Sequence, residues 1–102
     1  MKKCQYETYH RFFSNLANPL KVSIILSLRE KQQSVTELKD GIKAEQSKIS
    51  HALSALKKCN IVQSTQKGKQ RIYSLNKTTI LPMLKLIDKH ASTQCHGCPY
   101  IK

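Results

Sequence analysis

Glycine and proline are scarce, three of each in 102 residues, and they fall where breaks between elements are expected. Acid is scarce too. Six Asp and Glu stand against eighteen Lys and Arg, a formal net charge of +12. Such an excess repels itself in a compact chain. It makes sense when the usual partner is polyanionic, either nucleic acid or an anionic membrane surface. Long apolar runs are missing. The longest, Val22 to Leu28, is interrupted by Ser23 and Ser27, which argues against a membrane-spanning helix. Met1-Lys2-Lys3-Cys4-Gln5-Tyr6 lacks the apolar stretch of a signal peptide, so a cytoplasmic location is expected. In that compartment the four cysteines read as thiols, metal ligands or redox switches rather than structural disulfides. There is no internal repeat and no low-complexity segment. The length suits one domain with a modest but sufficient core.

What is present reads as alternating helices. Tyr6, Tyr9, Phe12, Phe13 and Leu16 recur at helical spacing. Asn18-Pro19 then reads as an N-cap followed by Pro at the first helical position. The helix it opens carries Val22, Ile25, Leu26 and Leu28 and runs to about Glu30. Lys31-Gln32-Gln33 is a polar break. Ser34 and Glu37 form a capping box for a short helix with Val35 and Leu38, expected to stop at Gly41. Ile49, Ala52, Leu53 and Leu56 form the apolar stripe of the next helix. Asn60 falls where a left-handed C-terminal cap belongs. Ile61 to Gln66 and Gln70 to Leu75 read as strands joined by Lys67-Gly68-Lys69. A last helix from Thr78 carries Ile80, Leu81, Leu84, Ile87 and Ala91. The expected fold is mainly α with a two-stranded β-hairpin, in the order α-α-α-α-β-β-α, a winged helix-turn-helix. Residues 1–93 would form this domain, and residues 94–102 a cysteine-containing tail.

The outer stripe of the helix before the hairpin is Ser47, Ser50, His51, Ser54 and Lys58, beside Gln46 and Lys48. A helix enters the major groove only if its outer face is slim and can exchange hydrogen bonds with base edges. Gln46 could pair with adenine. Ser47 and Ser50 could reach bases or phosphates, and Lys48 and Lys57 would hold phosphates. Lys67, Lys69 and Arg71 at the hairpin tip suit the neighbouring backbone or the minor groove. In isolation such a stripe is also what the solvated face of any amphipathic helix looks like. The short helix before it, the basic hairpin after it and the net charge favour double-stranded DNA.

Three motifs in order then resemble the ArsR–SmtB family. Gln46-Ser47-Lys48-Ile49-Ser50-His51-Ala52-Leu53 is similar to its recognition-helix signature Gln-Ser-x-Val-Ser-x-His-Leu. Leu16-Ala17-Asn18-Pro19-Leu20-Lys21-Val22-Ser23-Ile24-Ile25 resembles Leu-Ala-Asp-Pro-Thr-Arg-Leu-Arg-Ile-Leu. Gly68-Lys69-Gln70-Arg71-Ile72-Tyr73-Ser74-Leu75 looks like the wing Gly-Arg-x-x-Tyr-Tyr-x-Leu. The likeness spans most of residues 12–88. It implies a homodimer through the first and last helices, an inverted-repeat operator and, often, repression. Tyr6, Tyr9, Leu84 and Ile87 are the apolar residues expected at that dimer seam. The chain departs from the pattern at Ala52, where His is common, at Asn60, where Gly is usual, and at Lys21, which replaces Arg.

The same resemblance bears on effectors. Metal-binding relatives carry Glu-Leu-Cys-Val-Cys-Asp-Leu at the third helix. Here Ser34 and Thr36 stand in place of both thiols. Asp88-Lys89-His90 matches the first half of a last-helix zinc site, but no His-x-x-Glu follows. Cys95-His96-Gly97-Cys98 brings two sulfurs close enough to share one soft ion or one disulfide. With Cys4 from the N-terminal arm, and His96 or His10, it could bind zinc or a trivalent metalloid. A redox disulfide and an idle tail are the alternatives. No cofactor is required by the fold, and no small-molecule substrate or membrane contact is expected. Cys59 reads as a small core residue.

Two other classes compete. A winged helix can serve protein contact inside a transcription complex without its own operator. A thiol oxidoreductase built on the CxxC would need the first Cys at a helix N-terminus beside a strand, a scaffold this order of elements lacks.

Overall fold

The computed structural model describes residues 3–93. Five helices and three strands follow in order: α1 Lys3–Leu16, α2 Pro19–Glu30, β1 Gln33–Ser34, α3 Val35–Ile42, α4 Gln46–Lys58, β2 Val62–Lys67, β3 Gln70–Leu75 and α5 Ile80–Thr93. Asn18 caps α2 by accepting the Lys21 N–H at 3.0 Å, with Pro19 at the first position. The capping box of α3 is complete. Ser34 Oγ accepts the Glu37 N–H at 3.2 Å, and Glu37 Oε1 accepts the Ser34 N–H at 3.0 Å.

That box makes α3 sensitive to acid. The Ser34 N–H holds the Glu37 carboxyl below its ordinary value of 4.5; desolvation opposes this, and the Ser34 hydroxyl and Lys31 add smaller lowering effects. A carboxylate depressed in the folded state contributes stability above its unfolded pKa and loses it as pH falls through the folded one. Glu37→Gln should therefore destabilise the protein at neutral pH, with a difference that vanishes below the carboxylate range. Denaturant midpoints of both proteins across pH would show this. A difference that is constant with pH would contradict it.

Two helix ends differ in how they stop. Gly41 lies within α3, and Lys43 takes the left-handed conformation (φ 62°) that ends it, its N–H donating to the Lys39 carbonyl at 2.8 Å. The expected stop at Gly41 was thus two residues early. α4 ends as expected on Asn60 (φ 57°). The Ile61 N–H reaches the Leu56 carbonyl and the Asn60 N–H that of Lys57, both at 3.0 Å, and Leu56 and Ile61 are buried beside them. This is a Schellman motif with its hydrophobic clasp.

The core is built where α2, α3 and α4 meet the base of the hairpin. It contains Ile24, Ile25 and Leu28 of α2, Leu38 of α3, and Ile49, Ala52, Leu53 and Leu56 of α4. Ile61, Val62, Leu75, Ile80 and Leu84 close it. The α4 stripe is as read from spacing. In α2, Ile24 replaces Leu26, which is exposed. The α2 sequence is apolar on several sides, so its period does not single out one face. Leu84 was expected at a dimer seam but is buried in its own protomer's core.

The sheet has one strand more than expected. β1 pairs antiparallel with β3, Gln33 opposite Tyr73 and Ser34 opposite Ile72, giving the order β1-β3-β2. The polar stretch that reads as a break is recruited by backbone pairing, and Gln33 Nε2 also donates to the Ser27 carbonyl at 2.9 Å. Nothing in its side chains announces this.

Candidate nucleic-acid interface

α4 is fixed by its apolar stripe, so its opposite side must face outward. Gln46, Ser47, Lys48, Ser50, His51, Ser54 and Lys57 are all exposed. At 3.6 residues per turn, Ser47, His51, Ser54 and Lys58 fall within an arc of about 60°. Ser47 and Ser54 carry a single heavy atom beyond Cβ and His51 a flat ring, so the ridge is slim over three of its four positions. Gln46 and Ser50 lie along one flank at the N-terminal half, where recognition helices present base-reading groups. A groove of about 440 Å³ runs along the other flank, between Ser47, Lys48 and His51 of α4 and Asn18, Leu20 and Lys21 of α2.

The wing is held at its base and by β1, which pairs with β3 at Ile72 and Tyr73. Val62 and Leu75 are paired and buried, whereas the distal half of the hairpin is exposed. Lys67 pairs with Gln70 and Gln66 with Arg71, leaving Gly68 and Lys69 as a two-residue tip. Gly68 adopts φ 61°, which a tight hairpin demands and an L side chain resists. Lys67, Lys69 and Arg71 therefore stand on a projecting ribbon with no core to serve. None of the ten residues expected at the interface is buried, and none takes part in an ion pair among the described residues.

A polar connection behind α4 escapes the sequence pattern. Asn15 of α1 is 95 % buried, with a relative exposure of 5 %. Its amide Nδ2 donates to Cys59 Sγ at 3.1 Å, and its Oδ1 accepts from Lys21 Nζ at 2.8 Å. One amide thus ties α1 and α2 to the end of α4. Cys59, the C-cap of α4, is half-buried and packs against the core from its rim. The available signal was a lone amide on the inner side of α1.

The metal-ligand candidates fare differently. The Cys4 side chain and Cys95, His96 and Cys98 lie outside the described residues. Ser34 Oγ is engaged in the capping box, so the α3 position offers neither thiol nor free donor. Asp88 Oδ2 accepts from Arg29 Nη2 at 2.7 Å. No cluster of three His, Cys, Asp or Glu residues occurs among the described residues.

α1 and α5 leave a second surface. Tyr6, Tyr9 and Phe13 are 54–62 % exposed, Leu86 and Ile87 of α5 are exposed as well, and Ile87 lies beside Tyr9 and Phe13. Tyr9, Phe12, Phe13 and Leu16 with Met83 and Ile87 line an apolar groove of about 480 Å³. Such a patch on a small chain marks an interaction site.

Known proteins share this arrangement. The pattern described as bacterial regulatory protein, arsR family, matches residues 18–64, from the cap of α2 into β2. Over 85 residues the chain is 31 % identical to Rv0081, an uncharacterised HTH-type transcriptional regulator of Mycobacterium tuberculosis, covering 82 % of this chain and 75 % of that one. The chain belongs to the ArsR family. The crystal structure of the same M. tuberculosis protein superposes with a TM-score of 0.81 at 28 % identity, over 89 % of this chain and 92 % of that one. The HTH-type transcriptional repressor SmtB of M. tuberculosis is 37 % identical over 60 residues, 59 % of this chain and 44 % of the repressor. The chain thus spans less than half the length of that relative. A Mycobacterium bovis domain described as homodimeric, winged helix-turn-helix and DNA-binding shares the fold, with a TM-score of 0.82 at 18 % identity over 95 % of this chain and 90 % of that one. Among the described residues no helix is long and apolar enough to cross a membrane.

Proposed function

We propose that this ArsR-family chain is a cytoplasmic, homodimeric repressor that binds an inverted-repeat operator in double-stranded DNA. The observation that carries the reading is the slim, exposed polar ridge of α4 flanked by an unneutralised basic wing. α4 enters the major groove with Gln46, Ser47, Ser50, His51 and Ser54 toward base edges. Lys48, Lys57, Lys67, Lys69 and Arg71 hold phosphates. The α1–α5 groove takes the second copy, which spaces two α4 helices along one face of the duplex.

The reading separates readers from holders. Gln46→Ala should lower the preference for operator over random DNA by about 1–3 kcal/mol, whereas Lys69→Ala should weaken both equally and reduce the salt dependence. Titration of both variants on both DNAs measures this. Equal losses on the two DNAs for Gln46→Ala would remove it from the readers.

Regulation of that binding is assigned to thiol chemistry of Cys95 and Cys98 with Cys4 and His96, on the strength of the CxxC spacing. Zinc, a trivalent metalloid and a disulfide remain the candidate species. Operator affinity of the parent and of a Cys95→Ser, Cys98→Ser variant, with zinc, arsenite and oxidant, tests it. Indifference of the parent to all three would contradict it.

A further inference from the structure

Lys58 closes the outer ridge of α4, in line with Ser47, His51 and Ser54. Its side chain is exposed and borders a concavity. With Cys59 of α4 it lines a cavity of about 360 Å³ whose other wall is Glu7, Thr8, Arg11 and Phe12 of α1. Arg11 and Lys58 are both exposed, and neither takes part in an ion pair among the described residues. Two cations of different helices therefore share one concavity at the C-terminal end of the reading ridge, with Glu7 the one acid beside them.

The dimensions of the partner say what passes there. A 13-residue helix is about 20 Å long, whereas the major groove is about 12 Å wide. A helix whose N-terminal half reads bases must carry its C-terminal turn out over a phosphate strand. Arg11 also stays open in a dimer. At 100° per residue it lies roughly 160° around α1 from Tyr9 and Phe13, which form the exposed apolar face. A second copy seated on that face leaves Arg11 uncovered.

We infer that Arg11 and Lys58 form a phosphate site on the inner side of each half-site, so that the dimerisation helix itself takes part in holding DNA. The inference rests on the DNA-binding reading above and extends it from α4 and the wing to α1. The guanidinium fork suits a bridging pair of phosphate oxygens, and the ammonium adds a point charge. Because α1 also carries the dimer face, the site lies toward the operator centre, between the two recognition helices.

The test uses Arg11→Gln, Arg11→Lys and Lys58→Gln in the full chain, with random-sequence duplex as probe and affinity measured against salt. Each phosphate contact contributes about 0.9 to the slope of log affinity on log salt, so losing one per protomer should lower it by about 2 per dimer. Near 0.1 M salt the loss is on the order of 10–100-fold. Arg11→Lys should keep most of the slope. On an operator fragment located by footprinting, neutral methylphosphonates at its centre should weaken the parent but not Arg11→Gln. Sedimentation of each variant checks that the dimer persists. Should the parent bind no DNA, the DNA-binding reading itself fails. Should the parent bind and Arg11→Gln keep its slope, the α1 site alone is overturned. Competition by inorganic phosphate at fixed ionic strength, lost in Arg11→Gln with an unchanged slope, would likewise overturn it and identify a free-anion site.

Discussion

Affinity for DNA is expected to drop by about 10³–10⁵ between 50 and 200 mM salt. Each protomer presents Lys48, Lys57, Lys67, Lys69 and Arg71 on exposed positions around the reading ridge, so a dimer presents twice five, or ten. Six to ten phosphate contacts release that many condensed counterions, and mass action on salt does the rest. The composition points the same way. A net charge of +12 on 102 residues costs the compact state self-repulsion, which a polyanion relieves. The measurement is a salt series on operator and random duplex. A slope near zero would mean that these cations do not meet phosphates.

Phe13→Asp is expected to convert the dimer to monomers and to lower operator affinity by about 10²–10⁴. Phe13 is 60 % exposed in the protomer and stacks at 6.4 Å on Tyr9 and edge-on at 5.9 Å on Phe12. Replacing it removes little from the protomer core, so the fold should survive. A charge at the centre of an apolar groove, however, must be desolvated when a second copy closes over it. With one recognition helix per particle the second half-site no longer binds at high effective concentration. Sedimentation at micromolar protein together with operator titration checks both halves. A variant that stays dimeric would place the seam elsewhere.

How far the sequence reveals this molecule depends on which force sets each feature. α4 was legible because Ile49, Ala52, Leu53 and Leu56 repeat on one side and polar residues fill the other, so burial alone fixes what faces out. The caps at Asn18, Ser34 and Asn60 were legible because each satisfies a backbone group locally. α2 was less so. With apolar residues on several sides, only the packing of α3 and α4 decides that Ile24 goes in and Leu26 stays out. β1 has no side-chain signal at all, since it exists by backbone pairing to β3. Of the interface, the individual residues could be named from the chain. The meeting of Lys58 with Arg11, and the Asn15 tie to Cys59, depend on how α1 crosses the end of α4, contacts between positions more than forty residues apart.

The most direct test of the account is a mobility-shift selection of fragments from the source genome in excess random duplex, followed by footprinting of the retained fragment. The account predicts retention of particular fragments and protection of two symmetric half-sites centred about 10–10.5 base pairs apart, or 34–36 Å, on one face of the duplex. Uniform retention without a footprint, or no retention at low salt, would contradict a sequence-reading dimer and favour a winged helix that contacts protein.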